Sequence, residues 1–144
     1  MNKVRNVIQV KSNRSIFVTP DTTVFESLQL MVESNVGALL VMEGNDLLGI
    51  FTERDYARKV ILEGKSSKQA LVSEVMTANP ITVTPDHSIE ECMWLMTDRY
   101  IRHLPVVDNG NLIGIISIGD LVGFIIKEQK SIIGNLEQYI RGNA

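Results

Sequence analysis

The run Gly49-Ile50-Phe51-Thr52-Glu53-Arg54-Asp55 returns 65 positions later as Gly114-Ile115-Ile116-Ser117-Ile118-Gly119-Asp120. In each copy a short apolar run meets a hydroxyl, and a carboxylate follows three residues on. That order describes a buried strand turning directly into a capped helix. The repeat extends well beyond the corner. Val18-Thr19-Pro20-Asp21 becomes Val83-Thr84-Pro85-Asp86, Leu30-Met31 becomes Leu95-Met96, and Leu39, Val41 and Leu47 become Leu104, Val106 and Leu112. Register kept without a gap over about forty positions marks a tandem repeat of one supersecondary unit. Neither half could bury its sheet face alone, so the halves are expected to pack about a pseudo-twofold axis.

Within the first unit, Ile16-Phe17-Val18 reads as a strand closed by Thr19-Pro20-Asp21. Val24, Leu28, Met31 and Val32 recur at helical steps. Gly37 to Met42 and Leu47 to Phe51 read as two strands joined by a turn at Gly44-Asn45-Asp46. A helix is expected from Thr52 to about Leu62, stopped by Gly64. The second unit repeats this order, with Asn109-Gly110-Asn111 as its turn. The fold class is therefore α/β, two pseudo-twofold-related β-α-β-β-α repeats with a long C-terminal helix. The expected divisions are a short amphipathic helix and linker (1–11), repeat one (12–65), a linker helix (66–76), repeat two (77–127) and a helical tail (128–144). After Asp120, Leu121, Val122, Ile125, Ile126, Ile132, Ile133, Leu136, Tyr139 and Ile140 form an apolar stripe longer than one small sheet needs, part of which points to a subunit interface in the tail.

Composition excludes several function classes. A net charge of −3 gives no general attraction to nucleic acid or anionic membrane. The lone cysteine, Cys92, rules out an internal disulfide framework and a Cys-based zinc site. It matches Ser27 on a helix beside Met93 and Met96, and is expected as a small buried hydrophobe. Residues 1–10 do not resemble a secretory h-region, and no apolar run approaches the ~18–20 residues needed to span a bilayer. A soluble cytoplasmic protein is expected. Trp94 matches Gln29, a position expected to face outward, which hints at a dimer or partner surface.

The two corners carry the chemistry. Thr52…Asp55 and Ser117…Asp120 have the spacing of helix capping boxes. The same geometry suits a ligand: helix-start N–H groups attract phosphate, and an Asp facing a cleft can accept hydrogen bonds from ribose hydroxyls. Arg54 and Arg102 are candidate phosphate ligands through their paired donors. His103 is a candidate for stacking on or hydrogen-bonding a ligand, which would make binding somewhat pH-sensitive. No nucleophile–base pair, metal-ligand cluster or Walker-type loop is legible.

The duplicated unit ending in Gly-x-x-[Ser/Thr]-x-x-Asp, with Arg102-His103-Leu104-Pro105-Val106-Val107-Asp108 before the second hairpin, resembles the CBS-domain pair, or Bateman module. Thr52 to Lys59 and Leu136 to Ile140 resemble the small stand-alone members of that family. The resemblance implies AMP, ADP, ATP, NAD or a similar adenosyl ligand in the cleft between repeats, no catalytic cofactor, and disc-like homodimers. It also implies adenine slots formed by Ile16 and Ile81 with Val36, Gly37, Ile101 and Ile115. Repeat one has Gly37-Ala38 where repeat two has Arg102-His103, so the two clefts are expected to differ. The function expected is regulatory and non-enzymatic, signalling in trans to a protein effector. The alternative is a structural or interaction protein with a degenerate, ligand-free cleft.

Overall fold

The computed structural model describes residues 2–10 and 16–142; the polar stretch 11–15, where the expected linker (1–11) meets repeat one (12–65), lies outside them. The chain runs α1 (Val4–Val10), β1 (Phe17–Val18), α2 (Val24–Ser34), β2 (Ala38–Glu43), β3 (Asp46–Thr52) and α3 (Glu53–Tyr56). It continues through α4 (Val72–Val75), β4 (Thr77–Ala78), α5 (Ile89–Arg99), β5 (His103–Asp108), β6 (Asn111–Ser117) and α6 (Ile118–Ile140).

The repeat seen in sequence is a repeat in hydrogen bonding. Ala38 pairs with Thr52 in the first hairpin, as His103 pairs with Ser117 in the second. The bulges also correspond, falling at Val41/Met42 and Val106/Val107. α2 opens on a Thr23–Glu26 capping box and α5 on Ser88–Glu91, each satisfying helix-start donors that would otherwise be orphaned. The second turn has positive φ at both Asn109 and Gly110, the conformation that matches the twist of a two-residue hairpin.

Alternation along each strand builds three cores. Leu39, Val41 and Phe51 point into the first repeat's core with Val18, Val24, Met31 and Val60. Leu104, Val106 and Ile116 enter the second with Val83, Ile89, Cys92, Met96 and Leu121. The opposite faces meet between the repeats, where Ala38, Leu40, Ile50 and Ile115 form a smaller cluster. Both faces of β2 are thereby buried, which explains its unbroken apolar run.

The flanking segments do more than link. Val4 and Val7 of α1 are buried in the core of the second repeat, and Val4 N–H donates to the His87 carbonyl at 2.9 Å. In the corresponding way, Ala70, Val72 and Val75 complete the first repeat's core, and Val72 N–H donates to the Thr22 carbonyl at 2.8 Å. Isolated bridges Lys3–Ser88 and Thr23–Leu71 mark the two equivalent joints. Each repeat is closed by the segment preceding the other.

Several sequence expectations are refined. Around Ile81 there is no second-repeat counterpart of β1; Val83 makes only an isolated parallel bridge to Val106. β4 was not expected: Thr77 and Ala78 pair antiparallel with Ile50 and Gly49. A Cβ on Gly49 would stand 2.8 Å from the Thr77 carbonyl oxygen, so that approach requires a glycine. Helix α3 gives way after one turn to a π-helical turn, Ala57–Ile61, before Gly64 takes a φ of +70°. Val32, counted in the α2 stripe, is 81% exposed. The long C-terminal helix is as expected: α6 is one continuous helix of 23 residues. Among the described residues, no helix is long and apolar enough to cross a membrane.

Candidate functional site

Each corner forms because a strand delivers a hydroxyl residue to a helix start. Thr52 caps α3 and Ser117 caps α6, both with extended backbone and both in capping boxes with the aspartate three residues on. Just outside each helix, the carbonyl of Gly37 accepts from Glu53 N–H and that of Arg102 from Ile118 N–H, at 3.2 and 2.9 Å. The strand starts and the helix starts are thus adjacent in both repeats. In the second, this gathers Arg102, His103, Ser117 and Asp120; in the first, Gly37, Ala38, Thr52 and Asp55.

The carboxylates have different surroundings. Asp55 is 7% exposed. Its Oδ2 accepts from Thr52 N–H and Oγ1–H at 3.0 and 3.1 Å, and its Oδ1 accepts from Thr77 Oγ1–H at 3.0 Å. Lys59, one helical turn on, sets its Nζ 3.2 Å from Oδ1. Both oxygens of Asp55 therefore already have partners in the chain. Asp120 is half-buried, and its Oδ2 accepts from Ser117 N–H at 2.8 Å. Four residues beyond Asp120 stands Phe124, where repeat one has Lys59.

Arg54 does not turn back to its own corner. Its Nη1 donates to the carbonyl of Tyr100, across the junction in the second repeat. Tyr100 is the C-cap of α5 and holds a left-handed φ of 55°, sparsely populated for an aromatic residue. The matching residue, Asn35, tolerates the same φ of 53° more easily. This strained residue immediately precedes Ile101, Arg102 and His103. A Cβ on Gly37 would lie 2.7 Å from Glu53 Oε1 and 3.7 Å from His103 Cε1, so a side chain from each repeat borders that space.

The proposed slot residues divide between cores. Ile16 and Val36 pack on the first repeat's core, Ile81 and Ile101 on the second's, and Ile115 lies in the cluster between them. Arg102 is exposed and His103 half-buried. An open groove of about 680 Å³ lies elsewhere, lined by residues including Phe25, Leu28, Val32, Tyr56 and Lys68, and contains none of the predicted residues.

Sequence reading missed Glu53, Lys59, Thr77 and Tyr100. Lys59 had a legible signal, since an acid and a base four apart on a helix face each other. Thr77 did not, because its contact depends on β4.

Cys92 behaves as expected of a small apolar residue. It is fully buried, and burial pushes its thiol pKa up to about 11. Among the described residues, no group of three or more His, Cys, Asp or Glu side chains is placed to hold a metal ion.

Comparison with known proteins bears on this geometry. The CBS domain family model matches residues 4–62 and 72–127. A mitochondrial CBS domain-containing protein of Arabidopsis thaliana is 42% identical over 132 residues, or 88% of this chain; the chain spans 64% of that relative's length. A CBS-domain protein structure from Burkholderia ambifaria superposes with a TM-score of 0.84 at 50% identity, covering 88% of this chain and 96% of its own. A structure of CBSX2 in complex with AMP has a TM-score of 0.72 at 28% identity, covering 90% of this chain and 99% of that one. The duplicated corners, the mutual closing of the repeats and these matches lead to one conclusion: the chain belongs to the CBS-domain family and carries two CBS repeats.

Proposed function

We propose that this chain is a regulatory module that binds an adenosyl ligand, AMP, ADP, ATP or NAD, at the second corner, and passes the change to a protein effector in trans. The observation carrying the reading is the convergence of Ser117, Asp120, Arg102 and His103 where β5, β6 and α6 meet. The AMP complex of a relative with the same fold supports the ligand class. In this reading Asp120 accepts from the ribose hydroxyls, the start of α6 and Arg102 hold phosphate, and the apolar edge of Ile81, Ile101 and Ile115 takes the base. Ligand binding draws the repeats together, and the module acts as a homodimer whose geometry the effector reads. The chemistry is recognition rather than turnover.

The first corner has a mainly structural role, because Asp55 is already held by Thr52, Thr77 and Lys59. Two substitutions separate the roles. Asp120→Ala should weaken AMP or NAD binding by about 10- to 100-fold in calorimetry, beyond the loss of about 1 kcal/mol of stability expected from breaking its capping bond to Ser117. Asp55→Ala should cost about 1–3 kcal/mol of stability by orphaning its donors. It should change affinity at the second corner by no more than about twofold. Unchanged affinity in Asp120→Ala would falsify the assignment.

A ligand-free interaction protein is the second reading, favoured by the exposed Trp94 and Tyr100 and by the apolar tail. A thermal-shift screen decides between them. No stabilisation by millimolar adenosyl compounds selects the interaction protein.

A further inference from the structure

The half of α6 beyond the second repeat's core is built for a partner of definite shape. From Ile126 to Ile140 every apolar side chain is exposed: Ile126, Ile132, Ile133, Leu136, Tyr139 and Ile140. The last apolar α6 residue packed on the core is Ile125, so the helix runs on for about 20 Å with its apolar stripe exposed among the described residues. An isolated helix of that length is marginal in water, whereas one continued from a folded body has its nucleation already met.

The stripe has a seven-residue period. Ile126, Ile133 and Ile140 occupy one seam position, Val122, Gln129 and Leu136 the other, with Ile125, Ile132 and Tyr139 along one flank. Such a heptad pattern calls for a second helix. The other flank carries Lys130 and Glu137, one heptad apart. In a parallel pair these charges would lie along the apolar Ile132/Tyr139 flank of the partner. In an antiparallel pair each flank meets its own kind. With Ile133 opposite Leu136 of the second copy, Lys130 meets Glu137 twice about the twofold axis, and Ile132 meets Tyr139 twice. Sliding by one heptad sets Lys130 against Lys130 or Glu137 against Glu137, so charge also selects the register.

We infer that residues 129–140 of α6 pair with the same segment of a second copy as a short antiparallel coiled coil. The interface is isologous, so it closes on two chains. It deepens the homodimer part of the function proposed above and rests on no ligand.

Sedimentation of the full chain tests it, with calorimetry for AMP run on the same samples. Lys130→Glu and Glu137→Lys should each weaken self-association about tenfold, since each replaces two attractive contacts with repulsive ones. An equimolar mixture of the two variants should restore association to about the wild-type level, because every contact in the mixed pair is again opposite in charge. Ile133→Lys should abolish the tail-dependent step. All three positions are exposed, so melting curves serve as the control for folding. Association unchanged in Ile133→Lys, or no recovery in the mixture, overturns the antiparallel pair. A dimer surviving Ile133→Lys leaves the proposed homodimer standing, and absence of AMP binding in the wild type sinks the nucleotide reading while leaving the tail result intact.

Discussion

Asp55 and Asp120 hold the same place in the repeat, yet different neighbours surround them. A carboxylate with a lysine one turn on and a threonine on a paired edge strand has its acceptor sites used within the chain. Asp120, with Phe124 in place of that lysine, sits in a corner whose strand start supplies Arg102 and His103. The capping boxes were legible because they need only local spacing. The asymmetry was half legible: Lys59 is visible at four residues' distance, but Thr77 reaches Asp55 only through a strand two residues long. Arg54 shows the same limit, since its tie to Tyr100 depends on how the repeats dock. Cys92 offers a test at this scale. Burial raises its pKa to about 11, above the ~8.5 of an exposed thiol. Its contribution to stability is therefore complete below about pH 8.5 and is lost as the pH rises through about 11. At pH 8 a thiol reagent should label Cys92 only as fast as the protein unfolds, and at once in denaturant; rapid labelling of native protein would contradict its burial.

The elements that sequence reading placed well are those whose signals are local. The two hairpins, with their turns at Gly44-Asn45 and Asn109-Gly110, and the capped helices α2 and α5 arise from periodicity and turn chemistry alone. What it did not place is what tertiary contact creates: β4, the π-helical turn after Tyr56, and the reduction of the second repeat's first strand to one bridge at Val83. The amphipathic helix at the N-terminus was legible, but its destination was not. α1 precedes repeat one and seals repeat two, with Val4 and Val7 in that core. Val7→Asp should therefore cost about 3 kcal/mol or more in urea unfolding, because it buries a charge without a partner. Val10→Asp, at a position 61% exposed on the same helix, should cost almost nothing. Equal effects from the two would show that α1 is not docked as described.

At the scale of the molecule, the packed links between the repeats include α1 on the second core, α4 on the first, and the shared cluster of Ala38, Leu40, Ile50 and Ile115. Because each core is completed by a segment from outside its own repeat, the two halves are expected to unfold together. Leu40 probes this coupling. It is fully buried, lies on the face of β2 turned toward the second repeat, and belongs to neither large core. Leu40→Ala should lose about 2–5 kcal/mol through its cavity. That loss corresponds to a fall in Tm of roughly 10 °C for a chain of this size. If the links act together, the transition stays single, and amide protection in α2 and α5 falls in step as denaturant rises. Early loss of protection in α2 alone would mean that the repeats unfold independently. In that case a ligand at the proposed second-corner site could not be felt in the first repeat through the packed junction, and the proposed regulation would have to run through the proposed α6 pairing instead.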